Sequence, residues 1–369
     1  MAIALVTNVI TPYRAPLYRL LAERYGVEVL CFGGGQSYVP AWFGDLDAQL
    51  AAAPFSARRL DGPRAALRLG ARYEAAIAPV AGGAMLPATY AGMRLRRRRF
   101  ILWASVWAHP RGGAKAAVAF PLVRHVYRHA DAVLTYGPHV SRYVAGYRGH
   151  DDDVFVAPQS VDAAVFGRAV TPAETSAWRV AHDLPTGAPL VLYVGRLVAE
   201  KGIGVLLDAW RTVRSTHPQA RLVAIGDGDL APRVRAASAD GVHLLPPVGA
   251  ADLPVAYAAA TAVTLPSIPT PRFREPWGLV CNEAMHQATP VVATDAVGAA
   301  AGGLVRNGQT GLVVRAGDPQ ALADALTRLL DDETLRTRLG EAGREALSGH
   351  THERMADAFG QALAAAGVH

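Results

Sequence analysis

Residues 272–298 read RFREPWGLVCNEAMHQATPVVATDAVG. Two carboxylates, Glu275 and Glu283, stand in this stretch with seven residues between them. Pro276-Trp277-Gly278 is a turn signal directly after the first. Leu279, Val280, Glu283, Ala284 and Met285 then have the spacing of a short helix. The run PVVAT at 290–294 is apolar, β-branched and introduced by proline, which predicts a buried strand. Eight helical steps cover about 12 Å at ~1.5 Å per residue, a reach comparable to a diphosphate between a sugar and a ribose. A helix beginning near Gly278 would aim unsatisfied N–H groups and its positive dipole end at an anion. One carboxylate ahead of that helix and one within it would accept from hydroxyls on either side of the anion. The plain alternative is a solvated helix face with two ordinary glutamates.

The chain around this stretch has 369 residues, long enough for two domains. Hydrophobic residues make up 51% of it, which supplies a sizeable core and excludes a disordered chain. The net charge of +6 points to anionic partners, phosphorylated donors or an acidic membrane surface, without choosing between them. No nucleic-acid-binding module accompanies the charge. Cys31 and Cys281 are the only cysteines and neither has metal-ligand spacing, so a reduced, cytosolic protein is expected. The N-terminal MAIALVTNVITPY lacks a basic region and meets polar residues early, and reads as a first strand rather than a signal peptide. No apolar run approaches the ~18 residues of a membrane-spanning helix.

In chain order, 3–6 reads as a strand, and 9–26 turns at Thr11-Pro12 into a helix with Leu17, Leu20, Leu21 and Tyr25 at helical spacing. A strand at 27–32 leads to Gly33-Gly34-Gly35, a plain loop or a phosphate turn. Strands follow at 73–79 and 101–107. Between them lies RLRRRRF at 94–100, whose Arg94, Arg96, Arg97, Arg98 and Arg99 either face anionic lipid or form a solvated helix end leading into a strand. His109-Pro110 closes that strand, a helix runs to His129, and 132–137, 138–144 and 154–162 read as strand, helix and strand. This alternation predicts a doubly wound parallel α/β sheet. From 163 to 189 the pattern loosens into an expected linker. A second sheet opens at 189–202, with Ile203, Leu206, Leu207, Trp210 and Val213 on one helical face. Asp318 and Pro319 are an N-cap and first helical residue.

GRLVAEKG at 195–202 sets Arg196 and Lys201 at a strand end among turn glycines. A guanidinium fork and a compact ammonium there suit a diphosphate, and equally suit a surface ion pair.

The stretch 272–298 resembles the E-x7-E signature of the family-4 retaining glycosyltransferases (glycosyltransferase group 1). The likeness continues through EAM, the PVVA strand, Asp295, Gly298, NGQTGL at 307–312 and GDPQALADAL at 317–326. It covers nearly all of 130–360 and is weaker in the first hundred residues. The resemblance implies a GT-B fold, two Rossmann-like doubly wound domains facing across a cleft. The expected division is 1–165 for the acceptor and 166–349 for the nucleotide-sugar donor, with 350–369 crossing back to the first domain. It implies Arg196 and Lys201 on the diphosphate, Glu275 on the donor sugar, Glu283 on the ribose, and Gly226, Trp277, Gly278 and Leu279 in the donor site. His109 corresponds to a histidine near the anomeric centre, or is a loop histidine satisfied by backbone. Where relatives carry a glycine pair after the first strand, this chain has TPYRAPLY at 11–18, so Arg14 contributes a charge there or the loop serves the acceptor.

The implied activity is retaining transfer from a nucleotide-diphosphate sugar to a glycan, lipid-linked or small-molecule acceptor, with no cofactor, no essential metal and no nucleic acid. Asp151-Asp152-Asp153 matches a D-x-D metal motif only formally, and His125 and His129 form an i, i+4 pair on a helix; neither is expected to hold a metal. A GT-B epimerase and a catalytically silent sugar-nucleotide-binding protein are the alternatives.

Overall fold

A computed structural model describes residues 2–33, 46–108 and 114–368. The chain forms two compact units, Met1–Ser160 with Thr351–His369, and Val161–His350. The division therefore falls ahead of the expected 165/166.

The first unit is built on seven parallel strands: β1 (Ile3–Thr7), β2 (Val27–Cys31), β3 (Ala57–Arg59), β4 (Ala75–Pro79), β5 (Arg99–Ala104), β6 (Ala132–Thr135) and β7 (Val154–Val156). Their order is β3-β2-β1-β4-β5-β6-β7, with Ile3 opposite Val27 on one side and Ala75 on the other. β1 and β6 are buried along their whole length, as parallel strands covered on both faces must be. The second unit repeats the plan with β8 (Leu190–Val194), β9 (Arg221–Ile225), β10 (Val242–Leu245), β11 (Ala262–Leu265), β12 (Val291–Thr294) and β13 (Leu312–Val314). All are parallel, in the order β10-β9-β8-β11-β12-β13. In each sheet the order reverses beside the first strand, between β1 and β4 and between β8 and β11. Such a reversal opens a crevice at the carboxyl ends of the strands, where ligands bind.

Local signals act as the sequence predicts. Helix Ile203–Thr216 buries Ile203, Leu206, Leu207, Trp210 and Val213. The Asp318 side chain accepts from Ala321 N at 2.9 Å, with Pro319 opening helix Pro319–Asp331. Helix His352–Ala365, capped by Thr351 (3.2 Å to Arg354 N), lays Met355, Phe359, Ala362 and Leu363 into the first unit's core.

Other expectations change. The strand at 154–162 is only Val154–Val156. The expected linker contains helix Pro172–Ala181, which opens on a reciprocal cap: Thr171 Oγ1 accepts from Glu174 N and the Glu174 carboxylate accepts from Thr171 N. The neighbouring segment is tied inward where Gln287 Nε2 donates to Phe166 O at 2.5 Å and Arg168 O at 3.0 Å. Arg14 is buried: its guanidinium donates to Gln159 Oε1 (2.5 Å) and Tyr136 Oη (3.1 Å) and lies 4.7 Å from the Trp103 ring. The arginine run ends helix Met85–Leu95 and enters β5, with Arg94 and Arg99 both paired to Asp131 (2.9 and 3.5 Å). His109, Gly34 and Gly35 lie outside the described residues. Among the described residues no helix is long and apolar enough to cross a membrane.

Candidate functional site

The candidate site lies at the reversal point of the second sheet, where β8 and β11 run side by side. β8 delivers Arg196 and Lys201, and β11 delivers the segment that reaches Glu275. The two turns meet because Gly202 takes a left-handed conformation (φ +75°) directly against Pro266. A Cβ at this position would lie 1.9 Å from the Pro266 carbonyl oxygen, so only glycine fits. The close approach lets Lys201 Nζ donate to Glu275 Oε2, forming an ion pair whose side chains are only 15% and 8% exposed. The same carboxylate oxygen accepts from Ser267 Oγ at 3.0 Å, and the ammonium stands 5.7 Å from the Phe273 ring centroid. Two charges this far from water hold each other more strongly than a surface pair.

Arg196 is more open, at 37% side-chain exposure, and bonds Glu200 at 3.3 Å. Its carbonyl accepts from Tyr193 Oη at 2.7 Å, which fixes the backbone turn beneath the guanidinium. Gly226, after β9, has its backbone against Gly195 and donates its N–H to Leu245 O at 3.1 Å.

The chain from Glu275 to Gly278 is strand-like rather than helical. Glu275 bridges Val297, and its carbonyl accepts from Gly298 N at 3.1 Å. Trp277 O accepts from Ala299 N at 2.7 Å. The Trp277 side chain points inward, 3% exposed, with Nε1 donating to Asn282 Oδ1 at 2.8 Å and its ring 5.5 Å from that of His350. At Trp277 only the backbone is left to face outward, and the indole anchored from inside holds it in place. Gly278 turns the chain at φ +95° against Leu265. The helix begins at Val280, with Leu279 as N-cap, and ends at His286. The expected eight helical steps between the carboxylates are replaced by an extended stretch, a turn and a short helix, because Pro276 and Gly278 break the spiral.

Glu283 sits in that helix, half-buried, and accepts from the phenol of fully buried Tyr257. Burial pushes its carboxyl up to about 7, and the Tyr257 hydrogen bond pulls partly the other way. Cys281 beside it is fully buried, and burial raises its thiol far out of the reactive range.

Thus Lys201 and Glu275 are in direct contact, Arg196 lies in the turn that leads to Lys201, and Glu283 lies in the helix that follows Glu275. Sequence reasoning missed Ser267 and Tyr257. Ser267 follows the apolar strand β11 at its carboxyl end, a position with a usable signal. Tyr257 sits in the apolar run DLPVAYAAA, where nothing marks its hydroxyl as different from core.

Elsewhere, Asp153 pairs with Arg148 (3.8 Å) and Asp152 with His150 (3.7 Å). The rings of His125 and His129 stack at 4.2 Å.

Comparison with known proteins gives three kinds of match. Residues 174–346 match the family model described as glycosyl transferases group 1. The D-inositol 3-phosphate glycosyltransferase of Pseudarthrobacter chlorophenolicus is 36% identical over 215 residues, covering 55% of this chain and 47% of that protein. The lipopolysaccharide core biosynthesis glycosyltransferase LpsE of Rhizobium meliloti is 34% identical over 201 residues, covering 50% and 53%. The chain spans about half the length of the curated relatives it matches. Among solved structures, Anabaena Alr3699/HepE in complex with UDP superposes with a TM-score of 0.79 at 19% identity, over 99% of this chain and 100% of that one. The sucrose-phosphate synthase of Thermosynechococcus elongatus gives 0.71 at 22%, over 98% of both. At such identities the likeness is one of fold. The match over residues 174–346 is thus to the glycosyl transferases group 1, and the two parallel-sheet units have the GT-B fold.

Proposed function

We propose that the protein is a retaining glycosyltransferase. It takes a sugar from a nucleotide-diphosphate sugar held by the second unit and passes it to a glycan, lipid-linked or small-molecule acceptor held by the first. The observation that carries this reading is the buried Lys201–Glu275 pair at the reversal point of the second sheet. A cation held by a carboxylate is a cation that a second anion can share. On donor binding the diphosphate draws Lys201 and Arg196, and Glu275, still oriented by Ser267, turns its acceptor capacity to the sugar hydroxyls. Glu283, ionised, accepts from the ribose. The names of structural relatives bound to UDP and UDP-glucose favour a uridine donor.

In the transfer, the bond between the anomeric carbon and the diphosphate oxygen breaks while the acceptor oxygen bonds to the same carbon on the same face. The acceptor proton passes to the departing diphosphate. Arg196 and Lys201 stabilise the charge growing on that diphosphate, which is where fixed cations accelerate such a step most. No metal and no cofactor is required on this reading. The enzyme works in the cytoplasm, with peripheral contact at the inner membrane face.

The test is a thermal-shift screen of UDP-, GDP-, ADP- and dTDP-sugars with and without EDTA. A rise with one nucleotide series that EDTA does not alter supports the reading. Wild-type donor affinity in both Lys201→Ala and Glu283→Ala would contradict the site. Turnover of donor without any acceptor would favour an epimerase, and binding with neither transfer nor hydrolysis a silent protein.

A further inference from the structure

Between Glu74 and Asp131 the sequence contains no acidic residue, yet it holds eight arginines and one lysine. That positive charge exceeds the +6 of the whole chain, so the rest of the chain is net acidic. Asp131, which closes the stretch, is itself taken by Arg94 and Arg99.

The fold gathers this charge on one side of the first sheet. Helices Gly62–Leu67, Met85–Leu95 and Ala114–His129 all pack inward on the same core through Ala66, Met93 and Val126. They lie close together. A Cβ on Gly92 would stand 2.4 Å from the Leu67 carbonyl oxygen, and Tyr90 Oη meets His125 Nε2 at 3.3 Å. Their outer sides therefore form one surface, with exposed Arg64, Arg68, Arg96, Arg97, Arg98 and Arg124 on it or at its rim.

That surface is not only charged. Among the described residues five large hydrophobic side chains are exposed, and three of them are here: Leu67 (45%), Leu95 (74%) and Leu122 (43%), one from each helix. Leu95 stands directly beside Arg96, Arg97 and Arg98. A solvated cationic face has no use for leucines held in water, and a nucleic acid would be met by aromatic side chains for its bases. Phosphates over an apolar layer match both features at once.

We propose that this three-helix face docks on an anionic lipid surface, with Arg96, Arg97 and Arg98 on the lipid phosphates and Leu95 entering the acyl boundary. The docking is independent of the donor site in the other unit.

The experiment is co-sedimentation of the full chain with phosphatidylcholine vesicles, with and without phosphatidylglycerol, across a range of salt. Binding should require phosphatidylglycerol and weaken as salt rises. The triple change Arg96→Gln, Arg97→Gln, Arg98→Gln should lower it about a hundredfold. Leu95→Ser should lower it roughly tenfold without changing the salt slope. A Leu95→Trp variant should shift its emission to the blue on the same vesicles. Melting temperature and donor-induced stabilisation should match the parent in each variant, which separates this face from the donor site. Equal binding to neutral vesicles, undiminished binding of the triple variant, or a Trp at 95 that stays in water while the protein is bound would each overturn the proposal. So would binding to heparin or DNA with none to vesicles.

Discussion

Each unit sets a cation just after the first strand at its reversal point, Arg14 after β1 and Lys201 after β8, and the two are partnered in opposite ways. Arg14 is enclosed by neutral groups: the Gln159 amide oxygen, the Tyr136 hydroxyl, the Met355 sulfur at 3.4 Å and the ring of Trp103. Lys201 faces a carboxylate that also accepts from Ser267, and keeps some exposure. A guanidinium stacked on aromatics and bonded to fixed dipoles is held by shape, and a planar fork suits that role better than an ammonium. An ammonium against a carboxylate is held by charge, and charge can be redistributed when an anion arrives. The same topological position thus serves as scaffold in one unit and, on the proposed reading, as exchangeable contact in the other. Arg14 is thereby held as part of the first unit's interior.

The contrast is tested most severely at Arg14. Arg14→Met removes the hydrogen bonds while keeping the bulk, and should cost about 3 kcal/mol of stability in denaturant unfolding. Donor affinity of the protein that remains folded should not change; an equal loss of affinity would erase the distinction. Lys201→Ala should do the reverse. Donor affinity, read by titration calorimetry, should fall by about 2 kcal/mol, roughly thirtyfold, since the lost contact is charge-assisted. Its melting temperature should drop less than that of Arg14→Met.

A smaller effect is expected at Tyr257. Tyr257→Phe deletes the hydroxyl that favours the ionised form of Glu283, so donor affinity at neutral pH should fall about fivefold, close to 1 kcal/mol. Raising the pH should recover most of it, which a purely structural defect would not do. The smallest effect concerns pH and stability. Glu283 in the folded chain holds its proton up to about 7, against 4.5 for the ordinary group. Between those values the folded state binds more protons than the unfolded one, so stability falls as pH rises through that window and levels off above it. Glu283→Gln should flatten this part of the pH–stability curve. Donor affinity of the parent should rise over the upper part of the same window.

Much of this was legible in the sequence for local reasons. The run PVVAT is a strand because it is short, β-branched and buried, and the face from Ile203 to Val213 is helical because its spacing allows nothing else. Asp318-Pro319 announces a helix start that the structure contains. Glu275, Glu283, Arg196 and Lys201 stood out by spacing and resemblance together. What stayed hidden is non-local. Lys201 meets Glu275 across 74 residues, and the pairing of β8 with β11, the Gly202–Pro266 contact and the Ile268 N to Glu200 O hydrogen bond bring them together. Tyr257 reads as core until its hydroxyl is seen on Glu283. Helix Pro172–Ala181 has no fully buried residue, so its hydrophobic rhythm was too weak to register, although Thr171-Pro172-Ala173-Glu174 spelled its cap.

The first unit is discontinuous, and that has a consequence during synthesis. Leu17, Leu21, Trp103 and Leu134 share a core with Met355, Phe359 and Leu363, which the ribosome delivers only after the whole of the second unit. The nascent first unit waits with an apolar face uncovered while the continuous second unit gains everything its own core requires. The expected maturation thus runs out of chain order: the second unit closes first, and helix His352–Ala365 seals the one that was begun before it.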